Sequence, residues 1–115
     1  MTRLNANLLR GTLDLLVLQA LGAGPRHGYA ILEWIERAVA PALLVEEGTL
    51  YPALHRLEAE GLIRASWGAS ENNRRAKFYS LTRRGEKRAA VDADAWRAYA
   101  EKVLRVLNGD AEAPA

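Results

Sequence analysis

Glu47-Gly48-Thr49-Leu50-Tyr51-Pro52-Ala53-Leu54-His55-Arg56-Leu57-Glu58-Ala59-Glu60-Gly61 is the stretch that decides how this chain folds. At roughly 100° per residue, Leu50, Leu54 and Leu57 fall within about 60° of one another and form a stripe that a helix would bury. The opposite arc carries Gly48, Pro52, His55 and Ala59, flanked by Thr49, Tyr51 and Arg56. A helix is therefore expected from near Glu46 to Gly61, greasy on one side and small, hydrogen-bonding or cationic on the other. Glu46 and Glu47 stand where the helix dipole favours negative charge. Pro52 falls within or just past the first turn, where a missing N–H costs little.

Downstream of that helix the period changes. Ile63 to Trp67 alternates like a strand, Gly68 to Ala76 is polar and turn-rich, and Lys77 to Leu81 alternates again, which predicts a β-hairpin. Tyr79 shares parity with Leu81, so it is expected in the core and Phe78 outside it. Thr82 is a suitable N-cap for a long helix reaching Leu107, closed by Asn108-Gly109. A frayed tail follows from Asp110 to Ala115.

Upstream, Leu8 to Leu21 reads as a helix, with Leu9, Leu13, Leu16 and Ala20 on one stripe and Leu15, Leu18 and Leu21 on others. Apolar residues all round a helix mean burial on more than one face, which in a small domain suggests cover from a partner chain. Gly22 to Pro25 ends it. A second helix is expected from Gly28 to Val39, with Ile31, Trp34, Ile35 and Ala38 on one side, and Pro41 marks the next break. His27 is expected to hydrogen-bond at the start of that helix. The order is three helices, a hairpin and a long helix: a mainly α winged helix-turn-helix with an appended helix. By residue number, 1–81 would be the winged-helix domain, 82–109 an association helix and 110–115 a flexible tail.

The 115 residues suit one domain with one core, and 50% apolar with 26% charged is ordinary globular composition. Cysteine is absent, which removes thiolate zinc sites, disulfides and cysteine nucleophiles together. His27 and His55 lie far apart without an acidic partner at ligand spacing, and no Ser–His–acid arrangement or phosphate loop occurs. Neither an enzyme nor a metal or cofactor is expected. Met1 to Arg10 lacks the cationic start and unbroken apolar run of a signal peptide, and no apolar stretch has the length of a membrane span. A cytoplasmic location is the expectation.

Net charge is only +2, yet Arg74, Arg75, Lys77, Arg83, Arg84, Lys87 and Arg88 face Glu86 as the single acid between Arg74 and Arg88. Such a run is often just a solvated face. Placed on the wing beside a helix with a non-acidic outer face, it points to duplex DNA. Thr49, Tyr51, Pro52, His55 and Arg56 would meet the major groove, with Arg56 able to reach a guanine or a phosphate. Arg74, Arg75 and Lys77 would neutralise backbone phosphates. The competing reading is a winged-helix module that binds protein without meeting DNA. In the last helix Ala89, Ala93, Trp96, Ala100, Val103 and Leu107 form a seam at three, four and seven spacing, suited to pairing with a second copy. Leu9, Leu13 and Leu16 would supply the first helix's share of that dimer or ligand interface.

Several segments, in order, resemble the PadR family of bacterial transcriptional regulators: Gly11-Thr12-Leu13-Asp14 with Val17-Leu18, His27-Gly28-Tyr29, Gly48-Thr49-Leu50-Tyr51-Pro52, Arg56-Leu57-Glu58, Gly61-Leu62-Ile63, and Tyr79-Ser80-Leu81-Thr82 with Gly85. The resemblance runs from about Leu9 to Leu107 and is closest to the short class, which has a single C-terminal dimerisation helix. It implies a dimeric repressor whose third helix reads a roughly palindromic operator. It also implies that an aromatic small molecule could act at the dimer interface, where Trp96 occupies the corresponding region. Asp92, Asp94 and Arg97 surround that Trp, so the identity of an effector does not follow.

Overall fold

A computed structural model of the protein describes residues 6–39 and 47–109, with side chains for 11–39 and 48–109. The expectations for Leu9, Pro41, the Glu46 and Glu47 carboxylates, and the 110–115 tail lie outside the described residues. The elements are α1 (Ala6–Leu21), β1 (Arg26–His27), α2 (Gly28–Val39), α3 (Glu47–Ala59), β2 (Ile63–Ala69), β3 (Arg75–Leu81) and α4 (Arg83–Leu107). Three helices, a wing and a long helix follow one another as the hydrophobic periods require.

The core forms around α1. Leu13, Val17, Leu18, Ala20 and Leu21 pack with Ile31, Leu32 and Ile35 of α2, the Leu50-Leu54-Leu57 stripe of α3, and Leu62, Ile63 and Tyr79. Because α1 touches α2, α3, α4 and β3, its apolar girth is used up largely inside the chain. This corrects the assignment of Leu13 to an intermolecular surface: the side chain is fully buried within its own domain. Leu16 remains partly exposed at the core's margin. Ala38 also departs from expectation: it is exposed, and Val39 beside it packs at the core's margin instead.

The hairpin is longer than its alternation suggests, and it acquires a third strand. β2 and β3 pair antiparallel from Ile63↔Leu81 to Ala69↔Arg75, and β1 adds Arg26↔Tyr79 and His27↔Phe78 on the other edge of β3. At the tip, Asn73 donates to the Ser70 carbonyl at 2.8 Å and takes a left-handed φ of 58°, a conformation that asparagine tolerates well. Tyr79 is buried as its parity requires. Its phenol is held above the ordinary tyrosine pKa by burial first, then by the nearby charge of Glu58 and by Tyr51. Phe78 is half-buried, not exposed, because β1 brings His27 edge-on to its ring at 5.5 Å between centroids.

A tight joint ends α3 and starts α4. Gly61, at φ 75°, lets Leu62 N–H reach back to the Leu57 carbonyl and its own N–H to Glu58, both at 3.0 Å; this αL ending satisfies the last carbonyls of the helix. Thr82 then binds the same turn, its N–H donating to Leu62 O at 3.1 Å and its Oγ1 to Gly61 O at 2.7 Å. That hydroxyl also accepts from Gly85 N–H at 3.0 Å, capping α4 as the sequence led us to expect. The first half of α4 docks on α1, where Gln19 Nε2 donates to the Ala89 carbonyl at 3.1 Å. Beyond Ala93 most side chains of the helix are exposed.

Gly85 permits this docking, since a Cβ there would lie 1.9 Å from the Leu62 carbonyl oxygen. At an open helical position Gly→Ala would stabilise by up to about 1 kcal/mol. Here Gly85→Ala is expected to destabilise the protein by about 3 kcal/mol through overpacking against backbone, read as a lowered midpoint in chemical denaturation.

Candidate nucleic-acid interface

α3 presents its stripe inward and its opposite arc to solvent. Leu50, Leu54 and Leu57 are at most 2% exposed, while Gly48, Tyr51, Pro52, His55 and Ala59 are all exposed and Thr49 is half-buried. Pro52 stands sixth in α3, past the first turn, so its missing N–H deprives the Gly48 carbonyl of its helical donor. That carbonyl belongs to an exposed residue, where water can serve it. The Tyr51 ring lies across the start of α2; a Cβ on Gly28 would approach its hydroxyl to 2.8 Å. His27 caps α2 by accepting from Ala30 N–H at 3.1 Å through Nδ1, the role expected of it.

The two shoulders of α3 are held by ion pairs. On one side Arg56 Nη2 donates to Asp14 Oδ1 of α1 at 2.7 Å, with both side chains under a third exposed. On the other, Glu58 meets Lys77 Nζ of β3 at 3.9 Å in a more open setting. The first is a charge-assisted hydrogen bond; the second is a looser contact that solvent screens. Between these shoulders lies the exposed arc of Gly48, Pro52, His55 and Ala59. Arg56, expected to point outward, therefore has its guanidinium turned toward α1.

The wing rises beside this surface. Its core-side face continues past the core, so that Ile63 and Ala65 give way to Trp67, and Leu81 and Tyr79 to Lys77 and Arg75. Arg75 stacks on the Trp67 ring at 4.6 Å from the centroid, and Lys77 lies 5.7 Å from the centre of Tyr79. Arg74 stands exposed at the tip. Trp67, 60% exposed, and Asp14 are the two residues at this surface that sequence reasoning passed over. The signal for Asp14 was a lone acid in a leucine-rich helix. For Trp67 it was an alternating strand that outran the core.

Of the remaining candidates, Ala93, Trp96, Ala100, Val103 and Leu107 share one side of α4. Ala93 and Ala100 are half-buried and the others are exposed. Trp96 and Tyr99 face Gly11, Thr12 and Leu15 of α1 across a groove of about 380 Å³, which Asp92 and Ala95 complete. No cluster of side chains suited to a metal ion occurs among the described residues. Nor is any helix among them long and apolar enough to cross a membrane.

A family model described as the transcriptional regulator PadR-like family matches residues 17–91, from the middle of α1 into α4. The chain belongs to that family. Its fold is similar to a solved Streptococcus transcriptional regulator at 30% identity and a TM-score of 0.78, covering 89% of this chain and 98% of the other. A PadR family transcription regulator from Clostridium difficile is 28% identical with a TM-score of 0.72, over 83% and 97% of the two chains. An uncharacterized protein of Lysinibacillus sphaericus is 26% identical over 90% of this chain and 95% of its own length. The PadR-like family is one of transcriptional regulators, and its winged-helix frame accounts for every element from α1 to α4.

Within this PadR-like regulator, the Arg75–Trp67 stack organises the wing tip. Arg75→Ala is expected to leave the fold intact and to change the emission of Trp67 in a variant where Trp34 and Trp96 are Phe. An unaltered spectrum would mean that the stack does not persist in solution.

Proposed function

We propose that this chain is a dimeric repressor of transcription that grips a roughly palindromic operator through α3 and the wing and is released by a planar aromatic molecule. The observation that carries the reading is the exposed arc of α3, Gly48, Pro52, His55 and Ala59, lying beside a wing tipped with Arg74 and Arg75. An arc of small residues lets the helix backbone approach base edges, and Thr49, Tyr51 and His55 supply the hydrogen-bonding groups. Arg74, Arg75 and Lys77 serve the phosphates. Membership of a family of transcriptional regulators supports the same assignment.

Residues 1–81 act as the DNA-binding unit and 82–109 as the dimerisation helix. From Trp96 onward, Val106, Tyr99, Val103, Leu107, Ala100 and Leu104 span an apolar arc of about 160° at 100° per residue. Six of them, Trp96, Tyr99, Val103, Leu104, Val106 and Leu107, are large and exposed. Such an arc is wider than one helix pairing needs, so a second copy covers it with more than one element. A two-fold dimer places two α3 helices about 34 Å apart on one face of DNA. The groove beside Trp96 then opens onto the dimer interface, and an aromatic molecule that favours one dimer geometry there shifts the population away from the DNA-binding form. The regulator works in the cytoplasm without a cofactor.

The test is a titration of the protein against duplex from upstream of its own coding sequence and against duplexes selected from a random library, at two salt concentrations. Affinity is expected to fall steeply as salt rises. Indifference to salt, or no preferred duplex, would sink the proposal. The Arg74→Ala/Arg75→Ala pair is expected to flatten the salt slope by about two units while leaving the dimer intact. Trp96→Ala is expected to shift sedimentation toward the monomer or to abolish response to an aromatic effector; wild-type behaviour in both removes Trp96 from the interface.

A further inference from the structure

Asp14 is the only acid in α1, and it reaches the helix that faces the proposed operator. The bond to Arg56 at 2.7 Å joins two half-buried side chains from different elements. Burial of Leu50, Leu54 and Leu57 holds α3 against the core, but apolar burial is non-directional and tolerates small rotations of the helix. A hydrogen bond to a planar guanidinium does not. Rotation of α3 by about 20° would carry an atom at its surface, some 5 Å from the axis, by about 2 Å. That displacement is enough to break any hydrogen bond made in a groove.

We propose that Asp14 is a positioning residue for DNA binding: it grips Arg56 so that α3 presents Thr49, Tyr51, Pro52 and His55 at one fixed rotation. Arg56 serves the interface through that grip and does not read a base. The proposal rests on the reading of α3 as the DNA-facing helix. If Arg56 turned outward to DNA, it would give up this 2.7 Å charge-assisted bond. While the bond is closed, α3 keeps its pose. Asp14 also sits between Thr12 and Leu15, which line the groove beside Trp96.

The sign of one substitution separates the possibilities. Asp14→Asn removes a negative charge from a DNA-binding surface, which by general electrostatics should tighten binding. It should also tighten binding if Asp14 merely withholds Arg56 from the DNA. A positioning role requires the reverse. Wild type, Asp14→Asn, Arg56→Gln and the double variant are titrated against a fluorescein-labelled duplex selected by the wild type from a random library, and against a scrambled duplex of equal length. On the selected duplex Asp14→Asn is expected to lose about tenfold or more, the weight of one charge-assisted hydrogen bond. On the scrambled duplex it should bind as well as wild type or better. Arg56→Gln should lose as much on the selected duplex, and the double variant no more than either single one.

Binding of the selected duplex by Asp14→Asn at wild-type strength or tighter overturns the proposal and leaves the DNA reading standing. Equal losses on both duplexes assign the pair to overall stability and overturn it as well. Failure of the wild type to select any duplex removes the DNA reading itself and the proposal with it. Should Asp14→Asn not fold, Asp14→Glu carries the test, since it keeps the charge and moves the carboxylate by one methylene. The same split between duplexes is expected of it, and wild-type discrimination overturns the proposal.

Discussion

The carbonyl oxygen of Leu62 is the point on which this architecture turns. It accepts from Thr82 N–H at 3.1 Å, and α4 approaches it so closely that only glycine fits at position 85. One residue earlier, Gly61 holds the left-handed turn that ends α3, and its carbonyl takes the Thr82 hydroxyl. Three elements are thus fixed at one backbone turn: the end of α3, the base of the wing and the start of α4. Each bond is modest, about 1 kcal/mol net, but the groups are directional and adjacent. Together they set the angles at which helix and wing stand side by side.

That joint fixes one end of α3, and side chains fix its flanks. The leucine stripe supplies most of the adhesion, since each buried leucine contributes roughly 2 kcal/mol. Orientation comes from polar contacts of unequal quality. The Asp14–Arg56 bond is short and half-buried, whereas Lys77 and Glu58 meet at 3.9 Å in a more solvated setting. The face between them is left with small residues and few charges. A surface of that kind is defined as much by what its borders hold back as by what it displays.

The two halves of α4 show how one helix serves two environments. Gly85 and Ala89 are buried against the domain, and small side chains there allow the helix to lie close. Past Ala93 the sequence turns to Trp96, Tyr99, Val103 and Leu107, which the single chain leaves exposed. The radius of gyration of 16.2 Å exceeds the roughly 13 Å expected of a compact chain of this length, as the projecting helix requires. Large apolar side chains on a projecting helix need cover, and nothing within the described chain supplies it.

The order of helices and strands, the inward stripe of α3, the caps at His27 and Thr82, and the burial of Tyr79 were legible from sequence because each rests on local rules. Those rules are the period of the apolar residues, the chemistry of a cap and the parity of a strand. The family's frame was legible for the same reason, since its motifs fall at those caps and turns. Long-range pairing was not. The two-residue strand β1 is too short to carry a period, and it exists only because β3 offers an edge; it is also what half-buries Phe78. Leu13 was assigned outward because an apolar stripe does not say which neighbour covers it, and the packing of α2, α3 and α4 around α1 answered that. Arg56 lies on the solvent side of its wheel, yet Asp14, 42 positions earlier, takes its guanidinium. Sequence determines which face of a helix is greasy; only the folded chain decides which charge reaches across to meet another, because that depends on distances between elements that no local pattern encodes.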